Sequence, residues 1–437
     1  MDGQKQPGAT AQIAAFAAGP AVCPPTVEAV ARLSLLDWLA VGLAGRGEPV
    51  AMLALAQAQE EGGAAQATVF GGARLPARAA ALVNGTTGHA LDYDDTHFLH
   101  IGHPATVIGP AALAVAEREG MSLAALLEAF AIGVEASCRI GAWLGRGHYE
   151  AGFHQTGTAG TFGATVAAGR LMGLDAARMT HALGLTATRA AGLKGQFGTM
   201  GKPLNAGFAA ANGVECASLA GRGVISTPEG LEGVQGFGPT HSGAGDLTAF
   251  QGLGETWVLP EVSHKLHACC HGLHAMLEAL ARLRAEPATV EAVEVTVHPR
   301  WLAVCNIERP ATGLEAKFSY RLTAAMALAG VETAALETYS DAITIRPDLV
   351  ALSDRVRVAT DPALADTAAR VAVTSVGVRR EAAHDLGDPG PLEQRVARVR
   401  AKAASLIGAD RAEAIWAVLT DDSPVATPAA ALAAHLA

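Results

Sequence analysis

Val293-Glu294-Val295-Thr296-Val297-His298 alternates apolar with polar residues, the period of a strand with one buried face. Arg355-Val356-Arg357-Val358 and Val371-Ala372-Val373 continue that texture. Upstream the period is different. Ala, Leu and Val recur at helical spacing over 27–44, 50–60, 76–90, 105–119, 122–146, 161–171, 175–188 and 205–221. The fold class is therefore predicted as mainly α. A large all-helical domain over 1–264 is followed by a smaller α/β domain over 265–390, with helices at 272–285, 319–329 and 332–339. Residues 391–437 return to Ala-rich helix, so the chain is predicted to cross back and make the helical domain discontinuous. Thr26 is the expected N-cap of the 27–44 helix and Gly45 its stop. Ala67–Phe70 before Gly71-Gly72 reads as a strand or an extended link.

The composition limits what such a chain can do. Half of its 437 residues are hydrophobic but only 5% are aromatic, so the core is built from small aliphatics and closely packed Ala-rich helices. A net charge of −10 argues against a nucleic-acid surface, which needs clustered cations. A local cationic site for an anionic substrate remains compatible with it. Six sparse cysteines fit reduced thiols and a cytoplasmic location. The N-terminus lacks a signal-peptide pattern. Apolar runs are broken by Gly, Glu or Arg before the ~18 residues a membrane span needs.

Ionisable groups concentrate in Asn84–Pro104, which holds His89, Asp92, Asp94, Asp95, Thr96, His97, His100 and His103. Two further polar breaks follow, around His154 and at Gly192–Pro203. The second break is neither a Walker loop nor a dinucleotide fingerprint. Gly195 and Gly201 are separated by five residues, Pro203 follows Lys202, and no strand precedes them. A metal is possible at Asp92, Asp94 and Asp95 with His103, whose hard ligands suit Mg or Mn. The segment His264-Lys-Leu-His267-Ala-Cys269-Cys270-His271-Gly-Leu-His274 offers soft ligands, with His267, Cys270, His271 and His274 on one helical face if it is helical. A structural zinc site, however, normally joins two separated ligand pairs, and capping explains at least one of the aspartates. Proton transfer by His103 and His154, with Lys202 and Lys265 holding carboxylates and Tyr320 adding a phenol, suits the set better. A metal-dependent hydrolase and a non-catalytic carboxylate-binding protein are the competing readings.

Asn84-Gly85, His89-Ala-Leu-Asp-Tyr-Asp-Asp-Thr96, His103-Pro104, Gly152-Phe-His-Gln-Thr-Gly157, Gly201-Lys-Pro203, Lys265 with Cys270, and Phe318-Ser-Tyr320 follow one another along most of the chain. In this order and spacing they resemble the MmgE/PrpD family. Its reactions include dehydration of 2-methylcitrate, decarboxylation of cis-aconitate and epimerisation of iminodisuccinate. The resemblance implies a helical domain with an α/β lid, a homodimer, no cofactor and no metal. It implies a small di- or tricarboxylate substrate handled by a dehydratase or another lyase, with an epimerase or decarboxylase as the alternative. The implied catalytic residues are His103, His154, Tyr320 and Asp92. Thr96, Lys202, Lys265 and His267 would bind substrate. Two positions depart from the family pattern. Ala105 follows His-Pro where Ser is common, and Leu266-His267 replaces a Tyr-Pro pair, placing a second possible proton carrier there.

Overall fold

The computed structural model describes residues 7–20, 22–283, 285–422 and 427–437. The chain forms two compact units, Met1–His264 with Pro391–Ala437, and Lys265–Gly390. The fold is mainly α with a small sheet, as the hydrophobic periods predict.

The first unit contains α1 (Ala9–Ala18), α2 (Pro25–Gly45), α3 (Pro49–Glu61), α4 (Ala77–His89), α5 (Ala105–Glu119), α6 (Leu123–Glu150), α7 (Thr158–Leu171), α8 (Ala176–Arg189) and α9 (Gly201–Gly221). In α2 every residue from Leu33 to Val41 is buried, the mark of a helix surrounded by others. Small residues set the packing elsewhere. A Cβ on Gly163 of α7 would lie 2.6 Å from the Gly133 carbonyl oxygen of α6. One on Gly207 of α9 would lie 2.5 Å from the Leu82 carbonyl oxygen of α4. Both helix pairs approach backbone to backbone, at separations only glycine permits.

Three local expectations change. Thr26 does not cap α2, which begins at Pro25 behind Pro24; Pro at the first helical position is pre-set for φ and has no N–H to satisfy. The first unit is not all helix. Strand β1 (Ala67–Thr68) falls in the stretch expected to be a strand or an extended link, and it pairs antiparallel with β2 (Arg74–Leu75). Residues 222–262 are mainly turns, with short helical turns at Phe237–Thr240, Leu247–Phe250 and Leu259–Glu261. The backbone partners of that segment come from afar. Arg139 donates to the Ala249, Gln251 and Thr256 carbonyls, while Glu135 accepts from the Val258 and Leu259 amides.

The second unit holds a four-stranded sheet in the order β4 (Val356–Thr360), β3 (Val290–Val297), β5 (Ala368–Ser375), β6 (Val378–Asp385). The β3–β4 pair is parallel and the others are antiparallel. Val293, Val295 and Val297 of β3 are all buried. Helix His274–Ala281 packs on β5 and β6, and Tyr320–Leu328 packs on that helix. The helix expected over 332–339 is reduced to one turn, Leu336–Thr338. Thr333 is drawn off by long-range bonds, its carbonyl accepting from the Ala268 amide at 2.9 Å.

The returning segment forms helices Leu392–Ile407, Ala409–Leu419 and Ala429–Ala433, the first packing on α2. Among the described residues, no helix is long and apolar enough to cross a membrane.

Candidate active site

The polar stretch after α4 is folded back on itself. The Asp92 amide closes a turn on the His89 carbonyl at 3.1 Å. Asp92 has φ 51°, a left-handed conformation in which Asp is among the tolerated non-glycine residues. The turn sends Asp94 inward. Its carboxylate lies 2.9 Å from His89 Nδ1 and 3.2 Å from His103 Nδ1. The His89 and His103 rings meet edge to face, 4.5 Å between centroids. Burial pushes the Asp94 pKa up, but the two imidazoles outweigh it and hold the carboxyl well below the usual range.

His103 has carboxylates on both sides, since its Nε2 lies 3.5 Å from Asp92 Oδ1. Its backbone amide donates to Thr156 Oγ1 at 3.0 Å, which ties the stretch to the second polar break. Lys202, at the start of α9, reaches Asp92 Oδ1 at 2.6 Å. The structure thus brings Asp92 and His103 of the polar stretch together with Lys202, about a hundred residues further on.

His154 completes this side. Asn205 Nδ2 donates to its Nδ1 at 3.2 Å, so the ring proton of the neutral form is placed on Nε2. Burial lowers its pKa well below the ordinary value, helped by His89, Lys202 and His103. It stacks near His89 at 6.1 Å between centroids and meets the edge of Phe197 at 4.9 Å. His89 Nε2 is buried and has no hydrogen-bond partner among the described residues. The combination is a neutral imidazole, a second imidazole held between carboxylates, and an ammonium group, which are the components of proton transfer on an anionic molecule.

The neighbouring polar residues have other work. Asp95 Oδ1 accepts from the Ala105 amide at 3.1 Å and so serves the start of α5. Its pKa is pushed up to about 8 by burial, then by Asp37. His97 Nε2 donates to the Val258 carbonyl at 2.8 Å, and His100 Nε2 pairs with the Ser137 hydroxyl at 2.9 Å. Burial lowers their pKa values to about 4 and about 3. The Thr96 hydroxyl donates to the Ser263 carbonyl at 3.2 Å, and the two residues also pair through their backbones.

Lys265, His267 and Tyr320 belong to the second unit. Lys265 is buried. Both ring nitrogens of His267 are engaged, Nδ1 with Thr333 at 2.7 Å and Nε2 with Glu278 at 3.0 Å. Tyr320 is fully buried and donates to the Gly272 carbonyl at 2.8 Å. Burial pushes its phenol pKa up, reinforced by the nearby thiols.

His89, Asp94, Phe197 and Asn205 enter the site although sequence reasoning left them out. Sequence reasoning leaves His89 and Asp94 to capping, packing or support of the site residues; the structure gives them the supporting role at His103, while Asp95 and His97 serve the fold. Asn205 left a signal: an amide inside an otherwise Ala-rich helical stretch. The metal question also changes shape. His89, Asp92, Asp94 and His103 offer ligand atoms within 4.8 Å of one another, without Asp95. The same atoms already face imidazole N–H groups and the Lys202 ammonium, so a cation would have to displace these. The Cys/His segment is not one helix, because helix begins only at His274 beyond a short turn. Among the described residues it assembles no comparable ligand group.

The MmgE/PrpD N-terminal domain matches residues 11–249, more than half the chain, and the MmgE/PrpD C-terminal domain matches 267–415. The chain belongs to the MmgE/PrpD family. It is similar to the cis-aconitate decarboxylase-like protein oryM of Aspergillus oryzae, 31% identical over 61% of this chain and 59% of the relative. It is also similar to the cis-aconitate decarboxylase of Homo sapiens, 29% identical over 57% of this chain and 54% of the relative. The Aspergillus terreus cis-aconitate decarboxylase is 30% identical over 65% of this chain and 61% of the relative. Each match spans less than two thirds of the relative's own length. For this MmgE/PrpD chain, the N-terminal family domain contains the whole His89–Lys202 cluster. The C-terminal family domain begins at His267 and runs on into the helices that return to the first unit.

Proposed function

We propose that this MmgE/PrpD chain is a lyase moving a proton at the carbon next to a carboxylate of a small tricarboxylic acid. Decarboxylation of a cis-aconitate-like acid is the preferred reaction, because the similar proteins carry that name. The observation that carries the reading is the pairing of two differently prepared imidazoles. His103 has both ring nitrogens facing carboxylates, the arrangement of a two-fold donor and hence of a proton-delivering group. His154 accepts from Asn205 at Nδ1 and is held neutral by burial, so its Nε2–H is the group it offers to a substrate carboxylate.

Loss of a carboxyl group as CO2 leaves its bonding electron pair on the carbon skeleton. A proton delivered to carbon then quenches that pair. His103 supplies it in this reading. Lys202 holds a substrate carboxylate, which competes with Asp92 for the ammonium, and Asp94 orients His103. No step is assigned to a cofactor. Thr96, Lys265, His267 and Tyr320 stay in the proposal on the family resemblance, each to be tested by a single substitution. The reading includes a homodimer, checked by light scattering for about twice the chain mass of 44.4 kDa.

The test is proton NMR of cis-aconitate incubated with the protein in deuterated water. The expected result is CO2 release with one deuterium on a product carbon. Turnover of 2-methylcitrate or iminodisuccinate instead would move the assignment to dehydration or epimerisation. No turnover and no exchange with any of the three would overturn it.

A further inference from the structure

Two cations on one helix face reach the backbone on both sides of Thr96. Helix Leu392–Ile407 carries Arg395 and Lys402 seven residues apart, two turns and therefore one face. Arg395 donates to the Pro260 and Val262 carbonyls at 2.8 and 2.7 Å. The next residue, Ser263, exchanges backbone hydrogen bonds with Thr96, both at 2.8 Å. Lys402 donates to the Tyr93 carbonyl at 2.6 Å, between Asp92 and Asp94, and lies 4.0 Å from the Tyr93 ring centre. Asp37 of α2 is its counter-charge at 2.6 Å, with side-chain exposures of 2% and 1% for the pair.

A buried ion pair is a poor device for stability alone, since a well-packed apolar pair is often as good. What an apolar pair cannot do is hold a backbone carbonyl. The carbonyl held here belongs to the turn with the left-handed Asp92, a conformation that persists only where its surroundings fix it. Asp37 also acts on Asp95, which serves the start of α5 on the other side of the stretch.

We propose that Lys402, neutralised by Asp37, is a positioning residue for the Asp92–Thr96 turn. It keeps Asp92 and Asp94 at the separations that engage Lys202 and His103, without touching substrate. This inference rests on the reading of His103 and Asp94 as the proton-transfer apparatus.

The experiment uses the full chain with cis-aconitate as probe and compares D37N/K402M, H103A and I415A with the parent. The double variant removes both charges, so no unpaired ion is left in the core. Ile415 is buried in the neighbouring helix Ala409–Leu419 and has no polar side-chain atom. The double variant is expected to lose about 10- to 100-fold in kcat, the scale of a misplacement near 1 Å. Its KM should stay within about threefold and its pH–kcat profile should shift. I415A should keep kcat. If the double variant does not fold, D37L/K402L fills the same space with apolar groups and is read identically. Parental kcat in the double variant, with H103A inactive, overturns this proposal and spares the proton-transfer reading. An equal kcat loss in I415A at matched urea midpoints also overturns it. Full activity in H103A overturns the reading beneath it.

Discussion

Replacing Asp94 with Asn tests the site at the group that joins its two buried imidazoles. A carboxylate offers acceptor oxygens to both Nδ1 positions, His89 at 2.9 Å and His103 at 3.2 Å. An Asn side chain offers one acceptor and one donor. One imidazole must then present a lone pair at Nδ1 and carry its proton on Nε2. A comparable wrong-tautomer substitution in the Ser-His-Asp triad costs ~10⁴ in kcat. Here Asp92 also flanks His103 at 3.5 Å and keeps part of its orientation, so the expected loss is ~10²–10⁴, or about 3–5 kcal/mol of barrier. Stability should fall by about 1.5–3 kcal/mol, the scale of a hydrogen bond to a charged group. The sign of the acid dependence follows from the depressed Asp94 pKa. Its stabilisation is present above the ordinary carboxylate range and is lost as pH falls through the folded value. The variant should therefore lose less stability than the parent on acidification below about pH 4. The assays are kcat with cis-aconitate, urea midpoints, and ¹⁵N shifts of the His89 and His103 rings. Unchanged Nδ1–H signals on both rings, with kcat within about threefold, would refute the orienting role of Asp94.

His154→Gln should lower kcat by ~10²–10⁴ with a near-parental urea midpoint, because the amide can keep the Asn205 contact; a parental rate removes His154 from the chemistry. Asp95→Asn tests the carboxyl raised to about 8. A raised folded pKa gives stability that is present below the unfolded value and is lost as pH rises toward 8, so the parent should lose more stability than the variant between pH 5 and 8 in urea titrations. Equal losses would contradict that assignment. Dialysis against a chelator should leave turnover unchanged, with elemental analysis finding no stoichiometric metal; a stoichiometric metal whose removal abolishes turnover would make His89, Asp92, Asp94 and His103 a cation site.

The parts of the fold legible in the sequence are those whose energetics are local. Val293, Val295 and Val297 advertise β3 because one face of that strand is buried and the alternation records it. β6 was missed because Val378–Asp385 is an edge strand with most residues exposed, and charges that protect an edge erase the apolar period. Residues 222–262 were misread as helix because their hydrogen-bond partners, Glu135 and Arg139, lie about a hundred residues away in the chain. The site divides the same way. Asp92, Thr96 and His103 fall in one dense polar stretch that residue type makes conspicuous, and the family resemblance singles them out within it. Asp94 and Asp95 sit side by side with the same chemistry, yet one bridges two imidazoles and the other serves a helix start. Nothing local separates them, because the direction of each carboxylate is set by the Asp92 turn. Lys402 is the extreme case. In sequence it is one more lysine in an Ala-rich helix, where exposure is the ordinary expectation. Only the return of that helix onto α2, opposite a buried Asp37, turns it into a group that can hold the Tyr93 carbonyl. The residues hardest to read are thus those whose role depends on the chain coming back, which is why the crossing at Pro391 matters to the chemistry proposed for residues 92–103.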